Sequence, residues 1–278
     1  MNRFFAVLLA STIGFANQTY SLARASEDVI YTFGVVPQFD TRHTLLVWGP
    51  LITELEKRTG LKFRLKGSSS IPTFESSFMD DGFDFAYMNP YQVLKANTSQ
   101  GYIPLVRDIE RTLHGVLVVR KDSPIHEVKD LEGRRVAFPS PNALGASLVI
   151  RADLKKMYAT SVVPVYVQSH TSVYLNVVMG EVEAGGGVQK TLAQQPASIS
   201  DKLRIIYKTR DFTPHPITAH SRVPVEVRES VRQAFMALGV TSEGRALLSA
   251  IPIEVIGKTS INDYLSMSEW GLDEFYQK

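Results

Sequence analysis

The feature that most constrains this chain is a regular alternation of short apolar runs with segments of helical period. Val29 to Val36 (VIYTFGVV) is nearly continuous in apolar and β-favouring residues, the pattern of a strand covered on both faces. Pro37-Gln38-Phe39-Asp40 then turns the chain. Leu45, Trp48, Ile52 and Leu55 follow at helical spacing, Glu54 and Arg58 stand one turn apart, and Gly60 is placed to stop the helix. Leu61 to Lys66 (LKFRLK) alternates strictly and predicts a strand with one wet face. Asp84 to Met88 predicts another strand, and Asn89-Pro90 opens a helix. Strand, helix, strand, helix in this order predicts an α/β fold with a parallel sheet.

A second α/β set begins near Arg120. Strands are expected at Leu113–Val119, Arg135–Phe138, Pro164–Gln168 and Val182–Gly185, with helices at Gly145–Met157 and Thr171–Met179. Leu203–Tyr207 leads into a stretch marked by Pro214 and Pro216, the chain beyond Val225 is mostly helical, and Asn262–Tyr276 predicts a closing helix rich in aromatics. Two α/β blocks joined by two passes of extended chain suggest two lobes with a cleft between them. The expected division is lobe one at 26–118 and 214–278 and lobe two at 119–213. Ligands in open α/β sheets sit beyond the carboxyl ends of strands. Five loops are therefore candidates: Pro37–Phe39, Tyr87–Tyr91, Ser140–Gly145, Gln168–Thr171 and Glu183–Gln189.

The first 25 residues bear on where such a protein works. Met1-Asn2-Arg3 is a short positive region, Phe4–Ala16 is almost wholly apolar, and Ala23-Arg24-Ala25 offers the small residues a signal peptidase reads. The apolar run is too short for a bilayer core of ~30 Å, so a cleavable export signal over 1–25 is expected rather than an anchor. The sequence contains no cysteine, which excludes a lipidated leader, disulfide staples and thiolate metal sites. The expectation is a periplasmic protein that is not membrane-anchored after cleavage. A formal net charge of +2 gives no electrostatic support to nucleic-acid binding. A hydrophobic content of 44% is enough for an ordinary core.

Several stretches resemble the periplasmic phosphate/phosphite/phosphonate-binding proteins of ABC importers. They are YTFGVVPQ at Tyr31, Thr59-Gly60, FDFAYMNPYQ at Phe83, VVRKDSPIHEVKDLEGRRVAFPSP at Val118, QSHTSVYLNVVMGEVEAG at Gln168 and the proline-marked return strand at Pro214. The resemblance runs from about Tyr31 to Gly239. It implies a type II periplasmic-binding fold, two lobes hinged by two crossovers that close on a small solute. It also implies a ligand-binding role without catalysis or cofactor, with an ABC permease as partner. A sensory protein engaging a histidine kinase sensor domain would use the same hinge and is the alternative.

One departure bears on the ligand. Relatives that bind phosphonates commonly carry a Ser-Thr-Ser type run before the glycine that starts the lobe-two helix. Here Asn142-Ala143-Leu144 precedes Gly145, so apolar groups replace two hydroxyl donors. Each lost hydrogen bond to a charged oxygen is worth roughly 1.5–3 kcal/mol, which predicts weakened methylphosphonate binding. The helix start would still offer backbone N–H groups at Gly145 and Ala146, with Asn142 and Ser147 as nearby polar side chains.

The remaining candidates each carry two readings. His170 could donate to an oxyanion or cap the following helix. Glu183 falls where relatives place an acid that meets a ligand amine, and it could equally be a solvated turn carboxylate. Gly185-Gly186-Gly187 permits close backbone approach or is a plain turn, and no Lys-Ser/Thr follows to make it a phosphate loop. Tyr87 and Tyr91 could wall the pocket around Asn89, and aromatics there could cage a methylated or zwitterionic amine. Gln38 and Gln189 are neutral amides suited to orienting a polar solute. His215 and His220 lie five apart on a proline-bearing segment, poor geometry for a shared metal, and no catalytic or metal-ligating motif stands out.

Overall fold

The computed structural model describes residues 29–38 and 41–277. The expected export signal and Phe39 lie outside the described residues. The strands are β1 (Ile30–Val35), β2 (Lys62–Lys66), β3 (Phe85–Tyr87), β4 (Ile103–Asp108), β5 (Gly115–Arg120), β6 (Arg135–Phe138), β7 (Val163–Tyr166), β8 (Ala184–Val188), β9 (Leu203–Lys208), β10 (Ile217–Ala219) and β11 (Ile256–Lys258). The helices are α1 (Thr41–Thr59), α2 (Ile71–Met79), α3 (Pro90–Gln100), α4 (Val149–Tyr158), α5 (His170–Met179), α6 (Gln189–Ala193), α7 (Ala197–Ser200), α8 (Val225–Leu238) and α9 (Ser242–Ala250).

Two separate sheets result. The first runs β11-β4-β10-β3-β1-β2 and the second β7-β6-β8-β5-β9. Within the first, β1 pairs in parallel with β2 and β3, while β10 runs antiparallel to β3 and β4. In the second, β6 is parallel to β7 and β8, and β5 is antiparallel to β8 and β9. The expected α/β, two-lobed fold is the one observed. The chain passes between sheets twice, after β4 and again before β10. These passes pair with each other, Leu113 N–H donating to Phe212 O at 2.9 Å and Phe212 N–H to Leu113 O at 2.8 Å. Two adjacent extended strands are a natural hinge, because rotation there is spread over few backbone dihedrals.

The first core is aromatic. Phe33 stacks on Phe85 at 6.3 Å, and Trp48 of α1 lies 5.0 Å from Tyr87. Each buried ring is worth about 1.5–3 kcal/mol of transfer free energy. Asp84, just before β3, ties that interior strand to β1, its Oδ2 accepting from Thr32 N at 2.7 Å and Thr32 Oγ1 at 2.8 Å, while Arg222 Nε donates to Oδ1 at 2.9 Å. Sheet two is covered on both faces. Leu117 and Val119 meet Phe138, Ile150 and Leu154 on one side, and Val116 and Val118 meet Val173, Tyr174 and Val177 on the other. Two-sided burial explains why β5 lacks polar alternation.

Two expectations need correction. The strand expected over Val182–Gly185 is instead Ala184–Val188, and the three glycines form its middle rather than a turn. A Cβ on Gly186 would lie 2.1 Å from Ala146 O, and one on Gly187 2.0 Å from the Tyr174 hydroxyl oxygen. Close packing on both faces therefore demands glycine. The expected closing helix is a series of 3₁₀ turns at Ile261–Asp263, Leu265–Trp270 and Leu272–Glu274. Gly271, at φ 62°, breaks the path between the last two.

Candidate functional site

The carboxyl ends of β1, β3, β6 and β8 all point into the space between the two sheets, and so does the start of α5 after β7. Because β10 runs antiparallel to β3, with Ile217 opposite Tyr87, its amino end arrives at that same edge. Three adjoining cavities of about 30, 20 and 30 Å³ fill this space, and Gln38 lines all three. Each holds only about two or three water-sized spheres. A wider cavity of about 390 Å³ adjoins the first of these along Asp108, Leu113, Lys190 and Gln194, and Gln189 also lines it.

From lobe one come Gln38, Tyr87 and Asn89. Asn89 is the N-cap of α3, its Oδ1 accepting from Tyr91 N at 3.0 Å and Gln92 N at 2.9 Å. Its amide also reaches Asn142 O across the gap at 3.4 Å. Burial pushes the Tyr87 hydroxyl well above its ordinary range, so it stays protonated. Pro37 carries Gln38 into the cleft without lining these cavities.

From lobe two come Leu144, Gly145 and Ala146, which begin a π turn over Leu144–Leu148 that runs into α4. Leu148 N–H donates to Ala143 O at 3.0 Å, the wider i→i+5 closure. The first N–H groups of this turn have no intrahelical acceptor, and together with the helix dipole they favour an anion. Gly145 is needed for space, since a Cβ there would lie 2.7 Å from the Phe212 ring and 2.9 Å from Val188.

His170 opens α5 and lines the cleft, but Ser169 is the cap, accepting from Ser172 N at 3.1 Å. The His170 Nδ1 is 3.3 Å from Thr191 Oγ1. Burial alone pushes this imidazole down to about 4, so it is neutral through the physiological range.

Other candidates are placed elsewhere. Tyr91 is buried against Tyr276, its hydroxyl donating to Asp273 Oδ1 at 2.8 Å. Asn142 faces α2 and the chain end, its Nδ2 donating to Glu75 Oε2 and to Gln277 O, each at 2.7 Å. Ser147 points along its own helix and accepts from Arg151 Nε at 3.1 Å. Gln189 holds the first crossover, accepting from His114 N at 3.1 Å and donating to Thr112 O at 3.2 Å. Glu183 stands at the amino end of β8, accepting from Arg135 N at 3.0 Å. That is the edge of sheet two opposite the cleft, because five strand residues span roughly 17 Å.

The residue that sequence reasoning set aside is His215. Its ring stacks on Tyr87 at 5.2 Å, and its Nε2 lies 3.3 Å from the Gln38 amide nitrogen. Burial first, then the nearby His170, pushes its pKa down to about 3. His220, by contrast, sits 2.8 Å from Asp81 at the far end of β10. Lys190 and Thr191 also line the cleft and were not expected. Pro214 and Pro216 were the available signal, since flanking prolines fix the backbone around one histidine.

Solved structures with this arrangement are similar in fold. A binding-protein component of an ABC phosphonate transporter from Pseudomonas aeruginosa superposes with a TM-score of 0.77 at 15% identity, covering 88% of this chain and 86% of the other. PhnD1 from Prochlorococcus marinus, in complex with methylphosphonate, gives 0.78 at 14% identity over 88% and 98%. A Xanthomonas citri protein bound to ATP gives 0.74 at 15% identity over 88% and 98%. The family description that matches residues 33–264 reads "ABC transporter, phosphonate, periplasmic substrate-binding protein". With that match over most of its length, the chain belongs to the phosphonate-type periplasmic substrate-binding proteins of ABC transporters.

Proposed function

We propose that this solute-binding protein captures a compact oxyanion or phosphonate-like solute between its two lobes and presents it to the permease of an ABC importer. One observation carries the ligand class. The cleft joins the N-terminus of the helix at Leu144 to neutral polar groups, Gln38, Asn89, His170 and His215, which line two adjoining cavities. Such a site suits a small solute with several acceptor oxygens. Closure would bury the solute and bias an open–closed equilibrium that the permease reads. Family membership supports the importer over the kinase-linked sensor, and the polar groups of the cleft serve binding rather than catalysis. Export to the periplasm through removal of residues 1–25 belongs to the same proposal. Among the described residues no helix is long and apolar enough to cross a membrane.

The test is a thermal-shift screen across phosphate, phosphite, methylphosphonate, sulfate, amino acids and betaines. A solute at a hundredfold its Kd adds about 2.7 kcal/mol to stability, an easily read shift. A shift with oxyanions alone is expected. A shift with betaines or amino acids and none with oxyanions would overturn the ligand class.

A further inference from the structure

One ring in the cleft is left unfinished. His215 is 7% exposed and borders the cavities on either side of Gln38. Its Nε2 faces Gln38, while its Nδ1 is buried without a hydrogen-bond partner. Buried polar atoms are nearly always paired, so an unpaired one on a ring that lines two cavities marks a position that a solute atom could complete.

We propose that His215 is the specificity-determining contact of this cleft: it binds a captured oxyanion through Nδ1 and takes up one proton as that oxyanion enters. This deepens the receptor reading above and rests on it. The surroundings of the ring explain why His215 is the group that responds. Tyr87 on β3 stays protonated. Asp108, at the end of β4, is already occupied by the N–H groups of Glu110, Arg111 and Glu254 at 3.0, 3.1 and 2.7 Å. His170 on α5 is engaged with Thr191. Lys190 on α6 is the one cation bordering these two cavities among the described residues, and burial followed by Arg111 weakens its hold on its proton. An entering anion thus meets one amine, two neutral imidazoles and the Asp108 carboxylate, whose oxygens are taken up by backbone N–H groups. Burial disfavours imidazolium only while no counter-charge is present, and an oxyanion in contact reverses that balance. The proton comes from bulk buffer and stays on the ring. Both ring nitrogens then donate, Nδ1 to the oxyanion and Nε2 to the Gln38 Oε1 after a half-turn of the amide. A neutral solute of the same shape gains nothing from the exchange, which is the basis of selection.

The test is calorimetry of sulfate, inorganic phosphate and methylphosphonate binding, in buffers of differing ionisation enthalpy and at several pH values. Sulfate carries no proton in the working range, so uptake measured with it belongs to the protein. The expected result is uptake of about one proton per solute, with affinity rising about tenfold per unit fall in pH. H215Q, and H215N if the first variant folds poorly, should abolish both the uptake and the slope. Binding whose pH slope is absent in the wild type, or unchanged in the variants, overturns the role of His215 and leaves the receptor reading intact. No binding of any of the three anions to the wild type overturns the oxyanion reading itself. A ring-nitrogen NMR spectrum of the wild type tests the claim without a variant. His215 resonances that stay neutral at saturating solute would contradict it.

Discussion

Acidifying the ligand-free protein should destabilise it through its two buried imidazoles. The perturbation is a fall from about pH 7.5 to about pH 5. An unfolded imidazole titrates at the ordinary value of 6.5, whereas burial holds His170 down to about 4 and His215 to about 3. Between those values the unfolded chain binds protons that the folded chain refuses, so stability falls with falling pH. At about pH 5 the difference is roughly 1.5 pH units for each ring, or about 2 kcal/mol each and about 4 kcal/mol for the pair. The loss continues until the folded rings themselves titrate. The assay is urea unfolding at a series of pH values, comparing the wild type with H170Q/H215Q. The glutamines keep hydrogen-bonding capacity and do not titrate, so carboxylates and the outer histidines contribute equally to both curves. The wild type should lose about 4 kcal/mol more than the variant over this range. Parallel curves would refute the reasoning, because they would mean that neither ring is held neutral by burial.

Other outcomes follow from the packing. Gly186→Ala should destabilise by at least about 1–3 kcal/mol in a melting experiment, since its Cβ would meet Ala146 O at 2.1 Å. Asn142→Ala should cost about 1–3 kcal/mol, because it removes a 2.7 Å donor from the buried Glu75 carboxylate, whose pKa burial already raises against its hydrogen bonds. Small-angle scattering should show the same variant more open, as this bond joins α2 of lobe one to the loop after β6. Glu183→Ala and Tyr91→Phe should leave solute affinity unchanged in calorimetry, since neither side chain borders the cleft cavities. A tenfold loss in either would return those residues to the site.

Much of the fold could be read from period alone. The β1–α1–β2 unit shows its periods openly, a continuous apolar run for the covered strand β1, helical spacing in α1 and strict alternation in β2. What escaped depends on contacts distant in sequence. Gly185 to Gly187 read either as a close backbone approach to a ligand or as a turn, because nothing local reveals that Phe138, Ala146 and Tyr174 press on both faces of β8. Once the strand is moved later, Glu183 falls at its amino end and leaves the cleft. The aromatics of 262–276 gave a helical pattern, yet they serve as anchors to both lobes. Tyr276 packs on Tyr91, and Arg151 of α4 donates to Phe275 O at 2.8 Å.

The lining of the candidate cleft was legible where the carboxyl-end rule applies. Gln38, Tyr87, Asn89, Leu144, Gly145, Ala146 and His170 all border the cleft. Tyr91 and Asn142 follow the right strands but turn away, because helix capping and the chain end claim them. His215 escaped because β10 is antiparallel, so its amino end, not its carboxyl end, meets the space between the sheets.

The most direct measurement is a crystal structure of the protein soaked with millimolar methylphosphonate or phosphate. The account predicts one tetrahedral anion bounded by Gln38, His215 and the Leu144–Ala146 turn, with both sheets contributing contacts. An anion bound to one lobe alone, or an interlobe space that stays closed and unoccupied at saturating concentration, would contradict it.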